Sequence, residues 1–254
     1  MARKVFINAG HGGDDPGAVA NGLKEKDLNL VIALSCYKEL LRHGVDALIS
    51  RTTDVDDGDE PATCNAFGAE LAVDIHNNAG GGDGAEVWYS INGGTGKTLA
   101  QNILNEIVAI GQNSRGIKTR KGSSGRDYYY FIRDTACPAV IVECAFLDHK
   151  TDVQIVDTKA EQEAMGVAIA KGVLKTLGIA YTKEEKPAAT ETKKETVNKL
   201  YRVKNEIIIA DPAKAQYTGN GVFTIVEEKT VNGVVYGKLK SGVGWVSLKN
   251  AEKV

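Results

Sequence analysis

The feature that most restricts the fold of this 254-residue chain is an alternation, sustained to about residue 178, between short β-rich runs and longer stretches of helical periodicity. The β-rich runs are Lys4 to Asn8, Asp46 to Arg51, Leu71 to His76, Gly84 to Ser90, Tyr128 to Ile132 and Ala139 to Cys144. Between them, Lys26 to His43 places Leu30, Leu34, Tyr37 and Leu41 along one helical face and stops at Gly44. Lys97 to Ile110 and Lys159 to Leu177 repeat the pattern. Strands separated by helices, with few hairpin signals, specify an α/β architecture: a twisted, largely parallel sheet with helices on both faces.

The composition changes at residue 179. Residues 179–198 are Thr, Lys, Glu and Ala with four Lys against four Glu and no apolar periodicity, which reads as a solvated linker. Beyond it, Tyr201 to Val203, Ile207 to Ile209, Val222 to Val226, Val234 to Leu239 and Trp245 to Leu248 are short β-rich runs separated by Gly and Asn, as expected of a small all-β barrel over residues 199–254. The charges divide along the same line. Residues 199–254 hold nine basic against five acidic side chains, whereas residues 1–178 hold 18 against 24. A basic tail suits an anionic surface; a merely solvated barrel face is the ordinary alternative.

Several classes of function are excluded or disfavoured. A net charge of -2 gives no general polyanion binder, so no nucleic acid is expected as a partner. No apolar run approaches the roughly 18 residues of a membrane span. The opening MARKVFINAGHGG has too short an apolar core for a secretory signal, so synthesis in the cytoplasm is expected. Cys36, Cys64, Cys137 and Cys144 lack paired spacing and read as reduced, buried thiols. The oligomeric state is left open.

The chemistry concentrates at strand ends. The first run leads directly into Asn8-Ala9-Gly10-His11-Gly12-Gly13, which puts His11 at the carboxyl end of a strand, where open α/β sheets hold their ligands. A lone loop histidine is by default a surface residue. His76, however, ends another apolar strand and is followed by a similar polar loop, Asn77-Asn78-Ala79-Gly80, so two imidazoles can converge on one metal. A catalytic zinc takes three protein ligands and keeps one position open. Glu25, at the start of the first helix and 14 residues past His11, is the candidate third ligand, with Asp14, Asp15 and Asp27 as rivals. Glu143 ends the run Ala139 to Val142, where a carboxylate is costly to bury unless paired or functional; reaching solvent beyond the sheet is the ordinary alternative. Near a metal it suits general acid–base work. Strand alternation places the neighbouring Cys144 on the opposite face.

Together these residues resemble the zinc-dependent N-acetylmuramoyl-L-alanine amidases of bacterial autolysins and phage endolysins. The landmarks span residues 4–178: Gly10-His11-Gly12-Gly13 with Asp15 and Gly17, Glu25, Arg51-Thr52-Thr53-Asp54, Asp74-Ile75-His76-Asn77-Asn78-Ala79, Gly84-Ala85-Glu86-Val87-Trp88-Tyr89, and Val142-Glu143 with Phe146-Leu147. The resemblance implies zinc bound by His11, Glu25 and His76, with Glu143 as the catalytic carboxylate. The implied reaction is hydrolysis of the amide between N-acetylmuramic acid and L-alanine in bacterial peptidoglycan. Two departures stand out: Asn65 replaces an Arg common in the helix before the His76 strand, and Cys144 stands where a small residue is usual. The tail resembles bacterial Src-homology-3-like domains through Gly221 to Val226 and Tyr236 to Val246, which implies binding to a cell-wall polymer. There, Tyr201, Tyr217, Tyr236 and Trp245 are either a groove or core. An endolysin would reach the wall from the cytoplasm through a separate pore protein. The alternatives are a zinc peptidase cutting stem peptides or cross-links, and an inactive wall-binding protein with a structural metal.

Overall fold

The structure, a computed structural model, describes residues 3–183, 199–203, 207–209, 216–217, 221–231, 234–240, 245–248 and 251–253. The chain forms two compact units, Met1–Lys183 and Glu184–Val254. Most of the expected linker, residues 184–198, lies outside the described residues. Among those described, no helix is long and apolar enough to cross a membrane.

In chain order the first unit comprises β1 (Lys4–Ala9), β2 (Val19–Ala20), β3 (Leu23–Lys24), α1 (Glu25–Arg42), β4 (Asp46–Ile49), α2 (Glu60–Phe67), β5 (Leu71–Asn78), β6 (Ala85–Tyr89), α3 (Gly94–Ala109), β7 (Ser114–Lys118), α4 (Tyr130–Asp134), β8 (Ala139–Phe146) and α5 (Lys159–Leu177). Six strands form one sheet in the order β4-β1-β5-β8-β6-β7, parallel throughout except where β6 runs antiparallel to β8. The parallel sheet with helices on both faces is as the alternation implies; the reversed β6 is not foreseen by it.

Period-two alternation separates the two faces. Val5, Ile7, Val73, Ile75, Val87, Val140, Val142 and Cys144 lie under α1, α3 and α5, while Phe6, Ala72, Ala139 and Ile141 meet Cys64 of α2 and Phe131 and Ile132 of α4. α5 opens with a capping box between Thr158 and Glu161, which satisfies its first free amides. It fits between α1 and α3 because two of its residues have no side chain. A Cβ at Gly166 would lie 2.3 Å from the Ile32 carbonyl oxygen, and one at Gly172 2.4 Å from Ile103 Cα.

Three sequence expectations change. Tyr128 to Ile132 is not a strand: Tyr130 opens the short helix α4, whose Phe131 and Ile132 are buried against the sheet. The edge strand β7 adds a strand that the polar, non-alternating sequence Ser114–Lys118 does not signal. Residues 179–182, which composition groups with the linker, pack on the first unit. Tyr181 stacks on His43 at 5.1 Å between ring centroids, and the Thr182 amide donates to His43 Nε2 at 3.0 Å.

All four cysteines are free, and Cys36, Cys64 and Cys144 are buried. Cys64 and Cys137 face each other at 3.9 Å between sulfurs. Asn65, at the departure noted above, bridges α2 to the segment before β8, with Nδ2 donating to the Asp134 carbonyl at 3.0 Å and Oδ1 accepting from the Ala136 amide at 2.7 Å.

The second unit is antiparallel throughout: β9 (Lys199–Val203), β10 (Ile207–Ile209), β11 (Gln216–Tyr217), β12 (Gly221–Val231), β13 (Val234–Leu239), β14 (Trp245–Ser247) and β15 (Glu252–Lys253), in the order β11-β10-β14-β13-β12-β9-β15. Ile225, Leu239 and Val246 form its core, flanked by Phe223, Leu248 and Ala251. Tyr236 and Trp245 are half-buried; the side chains of Tyr201 and Tyr217 lie outside the described residues.

Candidate metal centre

The carboxyl ends of β1 and β5 are adjacent, because Ala9 pairs with Ile75 in the parallel ladder. His11 follows β1 by two residues and His76 lies near the end of β5, so the ladder itself brings the imidazoles together. Their ring centroids are 4.8 Å apart, with planes at 85°. Glu25, buried at the first turn of α1, reaches both: Oε2 is 3.2 Å from His11 Nε2 and Oε1 is 2.9 Å from His76 Nδ1. One ligand-capable atom from each residue lies within 4.8 Å of the others. Among the described residues no other group of three metal-ligating side chains comes together.

The backbone is shaped around this cluster. His11 itself sits at φ 64°, in the left-handed region that costs a residue with a side chain. A Cβ on Gly10 would come 2.2 Å from His76 Cε1, and one on Gly17 2.6 Å from Glu25 Oε2. Arg51, 3% exposed, pins the same loop by donating from Nε to the Ala9 carbonyl at 2.9 Å and from Nη2 to the Lys26 carbonyl at 2.8 Å. Sequence reading marked Arg51 as a landmark but could not assign it a task, since its acceptors are 42 and 25 residues away.

Each imidazole has a carboxylate behind it. His11 Nδ1 is 2.7 Å from Asp15 Oδ2, and His76 Nε2 is 3.2 Å from Asp74 Oδ1, which also accepts from Asn8 Nδ2 at 2.8 Å. Such partners fix which ring nitrogen faces the centre. Of the rivals to Glu25, Asp15 therefore stands behind His11, while Asp14 and Asp27 are exposed and outside the cluster. Glu25 also accepts backbone amides from Ala18 at 2.8 Å and Asn77 at 3.0 Å. Burial opposes its ionisation, but the hydrogen bonds from His11 and His76 outweigh that and hold it well below the usual carboxylate range. His11 is pushed up to about 9, chiefly by Glu25, with burial opposing and Asp15 adding. His76 is likewise raised, against burial, by Asp74 and Glu25. The cluster is thus a cage of negative charge that calls for a cation; protons on the imidazoles answer the same demand.

Glu143 stands one strand away, paired in register with His76 on one side and Glu86 on the other. Its Oε2 is closed off from solvent and has no hydrogen-bond partner. Burial pushes its carboxyl up to about 7, offset by His76 and reinforced by Glu25, Asp74 and Glu86. An unpartnered buried carboxylate oxygen is rare in native proteins unless something occupies or uses the site. Glu86 is 4% exposed and differs in kind: burial opposes its charge, but Lys118 and Arg115, the latter at 2.9 Å, keep it ionised. Cys144 is fully buried on the opposite face, its thiol raised far above its ordinary value by burial, so it is no nucleophile here.

Comparison with known proteins adds the family. A family model described as N-acetylmuramoyl-L-alanine amidase matches residues 5–175. The N-acetylmuramoyl-L-alanine amidase CwlM of Bacillus licheniformis is 35% identical over 192 residues, covering 73% of this chain and 72% of that protein. The endolysin of Bacillus phage SPP1 is 35% identical over an alignment of 263 residues, covering 96% of this chain and 95% of that protein. Among solved structures, the N-acetylmuramoyl-L-alanine amidase AmiC2 of Nostoc punctiforme superposes with a TM-score of 0.62 at 31% identity, covering 69% of this chain and 97% of that one.

Proposed function

This chain belongs to the N-acetylmuramoyl-L-alanine amidase family, which hydrolyses the amide between N-acetylmuramic acid and L-alanine in peptidoglycan, and we propose that it does so with a zinc ion held by His11, Glu25 and His76 and with Glu143 as the proton carrier. The donor set suits zinc: two imidazoles and one carboxylate, with a further carboxylate behind each ring. The close approach at Gly10 and Gly17, where a Cβ would collide with His76 and Glu25, supports a cradle built to these dimensions. When bound, zinc supplies Lewis acidity toward the scissile carbonyl and makes hydroxide accessible near neutral pH.

The chain's own residues do the rest. Asp15 and Asp74 hold the imidazoles with Nε2 of His11 and Nδ1 of His76 turned inward. Glu143 takes a proton from the attacking water on its carboxylate and returns it to the departing alanine nitrogen. In the metal-free protein burial holds that carboxyl above its ordinary value, toward the range in which a group can both accept and give up a proton. The observation that carries this reading is the buried, unpartnered Oε2 of Glu143, in register with His76.

The second unit is read as a Src-homology-3-like module that binds a wall polymer, supported by its antiparallel strands and its excess of basic side chains. The organisation proposed is a catalytic domain over residues 1–178, a linker, and a wall-binding domain over residues 199–254. The match to a phage endolysin across 96% of the chain favours an endolysin as the biological role.

The test is mass spectrometry of purified peptidoglycan digested with and without a chelator. Peptides with a free N-terminal alanine and glycan stripped of peptide are expected, lost on chelation and regained with zinc. Full activity in verified metal-free protein would rule zinc out, and new amines elsewhere in the stem peptide would make the enzyme a peptidase.

A further inference from the structure

On the side of Glu143 away from the metal ligands, the chain gathers positive charge in a unit that is acidic as a whole. Glu86, abreast of Glu143 in the ladder, binds both Arg115 and Lys118, so two cations serve one carboxylate. Arg120, exposed just beyond β7, has no carboxylate within ion-pair distance among the described residues. Its guanidinium lies 3.7 Å over the ring of Tyr128. Tyr129 is 5.1 Å from Tyr128 and 5.1 Å from Trp88. Trp88 pairs in register with Ile141, two residues before Glu143 on the same face, and lies under Lys118 at 5.5 Å. These contacts place an aromatic floor with two uncompensated cations beside the proton carrier. One of them, the exposed Arg120 guanidinium, is stacked on Tyr128.

The substrate has a charge asymmetry that such a surface can read. Its muramyl carboxyl is consumed in the scissile amide, so the sugar arm next to that bond is uncharged, whereas the stem peptide beyond the alanine carries carboxylates. We propose that Arg120, backed by Lys118 and Arg115 over Trp88, Tyr128 and Tyr129, receives the free carboxylate on the second residue of the stem peptide and so sets the direction in which the substrate crosses Glu143. This rests on the reading of Glu143 as the proton carrier. The guanidinium suits the task because its fork matches a carboxylate in two parallel hydrogen bonds, and stacking on Tyr128 fixes its plane before the ligand arrives. Held away from the reacting atoms, the contact acts equally on ground and transition states, so it belongs to KM.

The experiment uses the full chain, loaded with zinc, and two muramyl tripeptides with amidated C-termini that differ in one group. The second residue carries a free carboxylate in one and a carboxamide in the other. The wild type is expected to show a KM about 10-fold lower for the carboxylate, the scale of a charge-assisted hydrogen bond. Arg120→Gln should raise KM on that substrate by about 10-fold at unchanged kcat and leave the carboxamide substrate unaffected. Arg120→Lys should recover part of the preference, as a point charge without the fork. Because Arg120 is exposed, an unchanged melting temperature should accompany both variants. Equal KM for the two tripeptides, or equal effects of Arg120→Gln on both, would overturn the subsite while leaving the amidase reading intact. Release of no alanine-terminated peptide from either tripeptide would instead remove the reading on which it rests.

Discussion

Glu143 and Glu86 are neighbours across one pair of hydrogen-bonded strands, yet one carboxyl is raised and the other lowered, because Lys118 and Arg115 bond directly to Glu86 whereas at Glu143 burial outweighs the pull of His76. This makes Glu143 a liability to the fold. Its ordinary value is 4.5 and its folded value about 7, so the folded metal-free protein holds a proton that the unfolded chain has released. The neutral form's stability is therefore complete below about pH 4.5 and lost as pH rises through about 7. Glu143→Gln, which stays neutral, should raise the melting temperature of the metal-free protein above pH 7 and lower turnover by about 100-fold or more. Zinc content should stay near one per chain; its loss would make Glu143 a ligand. The wild-type rate should climb with pH to a plateau beginning at or below about 7, since a bound cation can only lower the carboxyl's pKa, and the variant's residual rate should lack that limb. Asp15→Asn should weaken zinc affinity by about 10- to 100-fold in a chelator competition; an unchanged affinity would mean that Asp15 does not orient His11. The four candidates His11, Glu25, His76 and Glu143 were legible because each sits at a strand end or helix start that periodicity locates. The task of Arg51 was not, since its acceptors come together only through the tertiary fold, and Asp15 and Asp74, though close in sequence to their histidines, carry no signal that separates a ring partner from a ligand.

At the level of elements, periodicity carried the long helices and the buried strands, and failed where a segment is short or polar. Tyr128 to Ile132 is rich in residues that favour strands, but the side chains that must be buried, Phe131 and Ile132, do so as one turn of helix. β7 reads Ser-Arg-Gly-Ile-Lys because it is an edge, where charge discourages pairing with other chains, and it is held by β6 alone. α5 sets a sharper test. Gly172→Ala would drive a Cβ into the backbone of Ile103, so it should cost about 1–3 kcal/mol in urea unfolding, toward the upper end because backbone cannot turn aside. The metal cluster lies near strand ends, away from this contact, so turnover below the melting temperature should persist. Lost turnover in a still-folded Gly172→Ala protein would show that α5 packing reaches the site.

For the whole molecule, the break in composition near residue 179 was plain in the sequence, but the structure carries the first unit on to Lys183. Truncation after Lys183 should therefore keep the Tyr181 and Thr182 contacts with His43 and leave a folded catalytic fragment. That fragment should cleave soluble muramyl peptides at near the full-length rate and sediment poorly with walls, because it has lost the tether that raises local substrate concentration. Residues 184–254 should do the reverse, with wall binding that weakens as salt rises. A tail that folds yet binds walls at neither low nor moderate salt would fail as a targeting module. The sheet order has one further consequence. β8 lies between β5 and β6, both of which precede it in the chain, so the sheet stays in two pieces until residues 139–146 slide into the gap. The strand that completes the sheet is also the one that brings Glu143 to His76. On the ribosome, then, a nascent chain can assemble the histidines and still lack the proposed proton carrier, and a message cut short anywhere before this strand yields a product without it. In this topology the proposed proton carrier joins the histidines only with the strand that closes the sheet.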